Sequence, residues 1–331
     1  MKFKYCFVPL VLIIIFQASC KKNASPKPQS NVDVYVAGSV NNSAAYWKNG
    51  ASVSLPAPGS LRSTAKAIAI SGSDVYITGT IINNLGVNEA TIWKNGIATL
   101  LTDGVLIGEA RAIALNANDV YVAGYTSDSK NRHFATYWKN GVKTVVGDPQ
   151  SNSEASAIAI NGSDIYVAGF VFEYDSPNSG NQWAAIWKNG VLTKLISNNS
   201  FNVNALAFNG NDIYAVGNIV YWKNGVETKV SSDVGVVNLS SIAVAGGDVY
   251  LGGTIEVDNT SVNGNISTYW KNGVPSLSGS PSGIEIAGIA VKDQDIYLAG
   301  VMDLAATIWK NGTPFKLSQN SNATCITLVS K

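Results

Sequence analysis

Short apolar segments separated by small polar turns run along most of the chain, and this pattern predicts β-strands. After residue 31 no segment sustains the 3.6-residue period of an amphipathic helix. Apolar stretches of about six residues, such as Ala110–Leu115 and Asp119–Gly124, are bounded by Gly, Asn, Asp or Ser. The pattern therefore predicts an all-β protein with very little helix.

Two motifs recur along the chain, and each occurs seven times. An Asp-Val/Ile-Tyr motif begins at Asp33, Asp74, Asp119, Asp164, Asp212, Asp248 and Asp295. A Trp-Lys-Asn-Gly motif begins at Trp47, Trp93, Trp138, Trp187, Trp222, Trp270 and Trp309. Seven of the eight tryptophans belong to this second motif, so we interpret the chain as seven copies of one unit.

Each unit contains four predicted strands, which we name A to D. In the third unit they are Ala110–Leu115, Asp119–Gly124, Ala135–Lys139 and Val142–Val146. The other predicted A strands are Ala65–Ile70, Ala155–Ile160, Val203–Phe208, Leu239–Val244 and Ile286–Val291. Asn-Gly between strands C and D favours a two-residue type I′ turn, because both central residues need positive φ.

The predicted strands are apolar on both faces, so both faces need cover. Since no helices are available, neighbouring units must cover each other, which predicts a seven-bladed β-propeller of four-stranded antiparallel blades over residues 32–331. The repeats begin with a B strand at Val32–Gly38 and finish with an A-type segment at Ala323–Leu328. The C-terminal strand is therefore predicted to complete the N-terminal blade and close the ring. Another closure and an open solenoid are the alternatives.

The "DVYVAG" strand and "YWKNG" hairpin resemble the repeats of bacterial secreted propellers of the NHL or YVTN type. The resemblance covers nearly all of residues 32–331. It implies the propeller fold but no particular activity, because propellers include enzymes, lectins and scaffolds.

The first residues resemble a bacterial lipoprotein signal. Lys2 and Lys4 precede an apolar run, and Gln17-Ala18-Ser19-Cys20 resembles a lipobox, with Gln17 where Leu is usual. This resemblance implies that residues 1–19 are removed and that Cys20 is acylated. An ordinary signal peptide or a short anchor is the alternative.

Residues 20–31 then read as the lipidated cysteine and a flexible tether. The segment contains Pro26 and Pro28 without apolar periodicity, and it reaches at most roughly 35 Å. Lys21 follows the cysteine, and by resemblance to lipoprotein sorting this favours the outer membrane. The predicted location is the cell envelope, with the membrane as a partner through the anchor.

Composition excludes several classes of chemistry. The formal net charge is +1, with 14% charged residues, which gives no electrostatic argument for nucleic acid. His133 is the single histidine, so a multi-histidine metal site is excluded. Cys6, Cys20 and Cys325 form no CxxC motif. We therefore predict no catalytic residue, no metal and no cofactor.

The connections between strands differ on the two rims. Connections A–B and C–D are short and repeated, whereas B–C and D–A connections vary in length. Long B–C loops are predicted at Thr80–Asn88, Tyr125–His133, Phe170–Gln182 and Thr254–Asn265. In the fifth unit the B–C connection shrinks to Asn218-Ile219. Variation on a rigid scaffold favours binding there.

Aromatic residues collect in the long loops of the third and fourth units. The candidate binding residues are Tyr125, His133, Phe134, Phe172, Tyr174 and Trp183. Exposed rings beside Asp128, Glu173 and Asp175 would suit a sugar or a protein partner. The alternative is that the rings pack the loops against each other.

The repeated charges have a structural interpretation. The seven aspartates are predicted to cap the A–B turns, and the seven motif lysines to be solvated. A ring of aspartates could instead bind calcium. Lys66 and Arg111 could form a basic spot beside Glu109 and Glu154, although a solvated rim also explains them.

Three functions remain open. The first is a monomeric, non-catalytic protein-interaction scaffold in the cell envelope that binds through the variable connections. The second is a glycan-binding module that uses the aromatic residues. The third is a propeller lyase or glycosidase, for which a pair of carboxylates would have to converge.

Overall fold

The computed structural model describes residues 31–57, 59–176, 179–233, 235–257, 264–276 and 284–331, and one compact unit spans Val32–Lys331. Every regular element in these ranges is a β-strand. No helix of this part of the chain is long and apolar enough to cross a membrane. The predicted signal peptide, Cys20 and nearly all of the predicted tether lie outside the described residues.

The strands form seven antiparallel four-stranded sheets, which are the blades. Blade 1 contains β28 (Ser321–Ser330), β1 (Val32–Val40), β2 (Ser43–Lys48) and β3 (Ala51–Ser54). Blades 2 and 3 contain β4 (Arg62–Ser71), β5 (Asp74–Ile82), β6 (Asn88–Lys94), β7 (Ile97–Leu100), β8 (Gly108–Asn116), β9 (Asp119–Ser127), β10 (His133–Lys139) and β11 (Val142–Val145).

The remaining blades follow in chain order with the same A-to-D arrangement. Blades 4 and 5 contain β12 (Ser151–Asn161), β13 (Asp164–Ser176), β14 (Ser179–Lys188), β15 (Val191–Leu195), β16 (Ala205–Asn209), β17 (Asp212–Val216), β18 (Val220–Lys223) and β19 (Val226–Lys229). Blades 6 and 7 contain β20 (Val236–Ala245), β21 (Asp248–Val257), β22 (Gly264–Lys271), β23 (Val274–Ser276), β24 (Ile284–Lys292), β25 (Asp295–Met302), β26 (Ala305–Lys310) and β27 (Thr313–Gln319).

The C-terminal strand closes the ring, as predicted. Strand β28 pairs antiparallel with β1, with Ala37 opposite Cys325 and Val36 opposite Ile326. The seven A strands line the centre, each in contact with the next, and β28 contacts both β24 and β4. The fold is therefore a seven-bladed β-propeller.

Apolar clusters join consecutive blades around the ring, and each contains one motif tryptophan. Trp138 of blade 3 packs with Ala90 of blade 2, and Trp47 of blade 1 packs with Ile308 of blade 7. The Trp138 Nε1–H donates to the Leu101 carbonyl oxygen at 3.2 Å. One such cluster occupies each of the seven interfaces between neighbouring blades. The prediction that these tryptophans fill the space between blades is confirmed.

The glycine of the B strand is required by a bulge in the A strand. In blade 3 the register of β8 against β9 shifts between Ala110 and Ala112, so Arg111 is the extra residue. A Cβ on Gly124 would overlap the Glu109 carbonyl oxygen beside this bulge. The bulge and its glycine therefore occur together. Because Arg111 is the extra residue of the bulge, its side chain does not follow the alternation of faces along the strand.

The blade 4 B–C connection that was predicted as a loop is largely strand, and the blade 3 loop is shorter than predicted. In blade 4 the hairpin extends to Ser176 and restarts at Ser179, and in blade 3 β9 reaches Ser127 before β10 begins at His133. The loop prediction was wrong for blade 4, because cross-strand pairing continues and satisfies the backbone groups. In blade 3 the predicted loop is confirmed over residues 128–132, and only its ends are strand. The short blade 5 connection is confirmed, since β17 ends at Val216 and β18 begins at Val220.

Candidate functional site

The strand order places the connections on two rims. We name the end that carries all A–B and C–D turns the repeated rim; Gly72-Ser73 and Asn95-Gly96 lie there in blade 2. We name the opposite end, with all B–C and D–A connections, the variable rim; residues 83–87 and 101–107 lie there. The chain enters the propeller at Val32 on the repeated rim.

A clamp of the same five residue positions recurs on the repeated rim. In blade 4, Asn189 donates from Nδ2 to Asp164 Oδ1 at 2.8 Å and accepts the Ile165 amide on Oδ1 at 2.9 Å. Lys188 Nζ lies 2.7 Å from Asp164 Oδ2 and 5.3 Å from the Tyr166 ring centroid. Lys188 and Asn189 together hold the pKa of Asp164 below its ordinary value.

These contacts change the interpretation of the seven aspartates and lysines. Each aspartate joins strand B to the C–D turn of its own blade, whereas the sequence suggested a cap on the A–B turn. The equivalent ion pairs join Lys48–Asp33, Lys94–Asp74, Lys139–Asp119, Lys223–Asp212, Lys271–Asp248 and Lys310–Asp295. The carboxylate oxygens that a calcium ring would need are thus bonded to lysine and asparagine.

The variable rim is uneven because blade heights differ. The B strand β13 of blade 4 has thirteen residues, and β17 of the neighbouring blade 5 has five. The blade 4 hairpin therefore stands above the blade 5 edge. Gln182 of the hairpin donates from Nε2 to the Phe201 carbonyl oxygen at 3.2 Å, which links it to the connection leading into blade 5.

A groove opens on this rim between blades 3 and 4. Its volume is about 280 Å³, and it is lined by His133, Asn152, Glu154, Phe170, Phe172, Tyr174 and Gln182. The Phe172 and Tyr174 rings meet edge to face with centroids 5.0 Å apart. Asn152 donates from Nδ2 to Tyr174 Oη at 2.6 Å. The groove therefore combines aromatic surface with amide, carboxylate and imidazole groups.

A partly buried charged cluster underlies the groove. Arg111 Nε lies 3.1 Å from Glu109 Oε2, and Arg111 Nη1 lies 2.6 Å from Glu154 Oε2. The second Glu154 oxygen is 2.7 Å from His133 Nδ1. Burial opposes the charge on Arg111, but Glu154 and Glu109 outweigh it and raise the pKa of the guanidinium. The basic spot suggested for Arg111 is in fact a neutralised link between blades 3 and 4.

Tyr125 is enclosed by this cluster. Its ring stacks on His133 with centroids 4.3 Å apart, and the Arg111 guanidinium lies 4.8 Å from its centroid. Burial, reinforced by Glu109, raises the pKa of the Tyr125 hydroxyl far above its ordinary range. This tyrosine supports His133 from below and presents no free ring to a ligand.

The six predicted candidates lie in one part of the variable rim. Among them, Tyr174 alone is exposed. Tyr174 is 43% exposed, Tyr125 is buried, and His133, Phe134, Phe172 and Trp183 are half-buried. Arg132 covers the Phe134 ring at 5.6 Å, and Lys194 lies 5.6 Å from the Trp183 ring. The alternative interpretation, in which most of these rings pack the connections, describes them better.

Four lining residues of the groove are absent from the predicted candidates: Asn152, Glu154, Phe170 and Gln182. Asn152 and Glu154 lie on one face of β12, opposite Phe172 and Phe170 of β13. The alternation of polar residues before the predicted strand Ala155–Ile160 was the available signal. It was missed because the strand was predicted to begin after these residues.

Large apolar side chains are exposed around the variable rim in no repeated pattern. They are Leu61, Leu85, Val105, Leu106, Ile196, Phe201, Val236 and Leu304. Near blades 2 and 3 a second cleft of about 410 Å³ includes Leu106 and Ile107. The variable rim thus offers apolar contact surface beyond the groove.

No family model and no curated protein matches the chain. The solved structures that match the chain include two of low sequence identity. The computationally designed protein Ika8 is 19% identical over 88% of this chain and 81% of its own, with a TM-score of 0.45. Pyrococcus horikoshii acylaminoacyl peptidase is 14% identical over 88% of this chain and 51% of its own, with a TM-score of 0.51. This chain therefore spans about half of that peptidase, and the likeness concerns the fold alone.

Proposed function

We propose that this protein is a non-catalytic interaction scaffold of the bacterial cell envelope, tethered by an acylated Cys20 and binding a protein partner through the variable rim. The observation that carries the proposal is the step on that rim, where the tall blade 4 hairpin stands beside the short blade 5. Apolar side chains are exposed around this step. Tyr174, Ile196 and Phe201 are exposed around the step between blades 4 and 5. Exposed apolar side chains grouped on a rigid surface are typical of protein interaction sites.

The tether rests on the sequence alone. The basic start, the apolar run and Cys20 support acylation, and Lys21 supports the outer membrane. The repeats are proposed to belong to the secreted NHL- or YVTN-like type on the motifs described above. Replacement Cys20→Ser should release the protein from the membrane fraction, and the parent N-terminal peptide should carry acyl mass.

The partner surface can be tested by photo-crosslinking in intact cells. A photoreactive amino acid at position 174 or 196 should give a discrete product, whereas the same residue at position 142 on the repeated rim should not. The captured partner is then purified and titrated against a Tyr174→Ala/Ile196→Ser/Phe201→Ser variant. We expect weaker binding by this variant with an unchanged melting temperature. Products from position 142 alone, or unchanged binding, would contradict the proposal.

A glycan ligand is the second candidate, and the blade 3–4 groove favours it. The Tyr174 ring stands beside the Asn152 and Gln182 amides, and sugars are bound by rings together with such hydrogen-bonding groups. Purified polysaccharide fragments from the envelope should then bind the parent and lose affinity for Asn152→Ala or Gln182→Ala. Asn83→Ala, in the blade 2 connection, provides the control.

The charged cluster does not favour an enzyme. A glycosidase needs two carboxyl groups facing across a scissile bond. Here the Arg111 guanidinium bridges Glu109 and Glu154. The peptidase likeness adds no argument for activity, because it reflects the fold alone.

A further inference from the structure

The repeated rim carries a ring of exposed aliphatic side chains that the proposed function leaves unused. The residue after each Asn-Gly turn begins strand D at the rim. In blades 2 to 6 this residue is Ile97, Val142, Val191, Val226 or Val274, each 67% to 74% exposed. In blades 1 and 7 it is Ala51 and Thr313. Five equivalent blades therefore present an apolar residue at the same place.

The turns hold these side chains at one level. Asn140 has φ of 51° and Gly141 has φ of 84°, and the same pair of positive values recurs in every C–D turn. These are the values of a type I′ turn, whose geometry is rigidly defined. The aliphatic residues consequently lie at equivalent heights around the ring.

Each aliphatic residue stands beside a long amphipathic side chain. Val142 pairs with Lys139 across the end of the hairpin, and the Lys139 side chain is 46% exposed. Since each motif lysine is matched by the aspartate of its own blade, the clamps contribute no net charge. A cleft of about 520 Å³ between blades 5 and 6 opens on this rim and includes Tyr221, Lys223 and Val226. Aliphatic, tyrosine and lysine side chains together are typical of surfaces at a lipid–water interface.

The start of the propeller lies on the same rim. Val32 begins β1 there, twelve residues after Cys20. The proposed tether reaches at most roughly 35 Å. Following β1 to the other rim would use its nine residues, about 30 Å at ~3.3 Å per residue. The tether would have to be almost fully extended along the outside of the propeller for the variable rim to face the lipid, so an anchor at Cys20 favours contact through the repeated rim.

We propose that the repeated rim lies on the surface of a lipid bilayer, with the five aliphatic side chains as its apolar contacts. This proposal rests on the proposed tether at Cys20. Lipid contact on the repeated rim would leave the variable rim free for its partner. Because the clamps are neutral, the contact should depend little on salt or on anionic lipid.

The test uses the full processed protein in vesicles of phosphatidylethanolamine that contain an acyl-chain spin-labelled lipid as quencher. Val142→Cys and Tyr174→Cys are labelled separately with an environment-sensitive fluorophore in a Cys325→Ala background. We expect quenching of the label at position 142 and none at position 174. Equal quenching at both positions, or none at position 142, overturns the proposal.

A second pair of variants isolates the aliphatic ring. With the label on Val226→Cys, the replacements Ile97→Ser, Val142→Ser, Val191→Ser and Val274→Ser should abolish quenching. The matched control changes Leu85, Val105, Ile196 and Leu304 to Ser on the variable rim and should retain it. Quenching that survives the first set overturns the proposal.

Two further readouts separate the possible failures. If the parent N-terminal peptide carries no acyl mass, the tether is wrong and this inference falls with it. If the peptide is acylated but position 142 stays unquenched, the lipid contact alone is wrong. A cross-link between two copies through position 142, without quenching, would assign the ring to self-association and overturn the proposal.

Discussion

The two rims of the propeller are ends of the same strands, yet one repeats in every blade and the other does not. On the repeated rim, two-residue turns require Asn and Gly, and an Asp–Lys pair joins each turn to strand B. On the variable rim, hairpin length differs between blades, since strand B has five residues in blade 5 and thirteen in blade 4. The sequence of the repeated rim is therefore restricted by the geometry of its turns. The length of the hairpins on the variable rim is free to differ between blades.

The comparison also separates two kinds of aromatic residue. Motif tryptophans are buried between blades, whereas the rings on the variable rim are mostly half-buried against hairpins and connections. A ring outside the repeat motif is therefore weak evidence for an exposed binding platform. Tyr174 is the exception among the six candidates.

The largest effect should come from removing the strand on which both rims depend. Deletion of Ala323–Lys331 exposes the β1 edge and leaves the blade 7–blade 1 and blade 1–blade 2 interfaces incomplete, because β28 contacts β24 and β4. We expect aggregation and loss of the cooperative melt, measured by size-exclusion chromatography and thermal unfolding. A monomeric product with the parent melting temperature would refute ring closure by β28.

Strand β14 carries one motif tryptophan, Trp187, and one tryptophan near the variable rim, Trp183. Replacing each in turn compares their contributions to the free energy of unfolding. Trp187→Ala should lower the free energy of unfolding by about 3–5 kcal/mol, because it empties a buried interface between blades 3 and 4. Trp183→Ala should cost only about 1–2 kcal/mol, since its ring is half-buried. Urea unfolding of both variants gives the two values. Equal losses would show that Trp183 is as structural as the motif residue.

Arg111 and Lys66 occupy equivalent bulges in blades 3 and 2. Arg111→Met should lower the free energy of unfolding by about 2–3 kcal/mol, because Glu109 and Glu154 lose their shared partner in a partly buried place. Lys66→Met, at an exposed side chain, is the control and should change little. Adding Glu109→Gln and Glu154→Gln to Arg111→Met should restore most of the loss; failure to do so would contradict the charge argument.

Replacing the clamp aspartates should have the smallest effect on stability, and the size of this effect should depend on pH. The pKa of each clamp aspartate is below its ordinary value of 3.8, so the charged form is favoured in the folded state. Their stabilisation is present above the unfolded pKa and is lost as pH falls through the folded pKa. An Asp119→Asn/Asp164→Asn/Asp212→Asn variant should lose less stability than the parent below pH 3.8. Melting temperatures across the acid range test this, with Asp103→Asn as the control.

Much of the propeller is predictable because its signals are local and repeated. Asn140-Gly141 specifies a turn, and the polar turn between Leu115 and Val120 specifies a hairpin. The B strand that begins the repeats at Val32 without a preceding A strand, and the A-type segment at Ala323, indicate ring closure. The hairpin of blade 4 was less predictable, because its residues alternate weakly and its pairing continues past the predicted loop start at Phe170.

The candidate site was predictable as a region but not as a set of contacts. The unequal B–C connections identified the rim of blades 3 and 4. Sequence spacing could not show that Arg111 bridges Glu109 and Glu154, because Glu154 belongs to the next blade and the A-strand bulge redirects Arg111. It also could not show that Tyr125 is enclosed by His133 and Arg111.

The amino-acid order alone was sufficient for the number of units, the turn types and the strand that closes the ring, because each depends on residues close together or on a repeat. The closed structure decided which rings are covered, which charges are neutralised and which rim receives the chain at Val32. Those properties arise where different blades meet. They depend on blade height, strand register and bulge position, which no single segment contains.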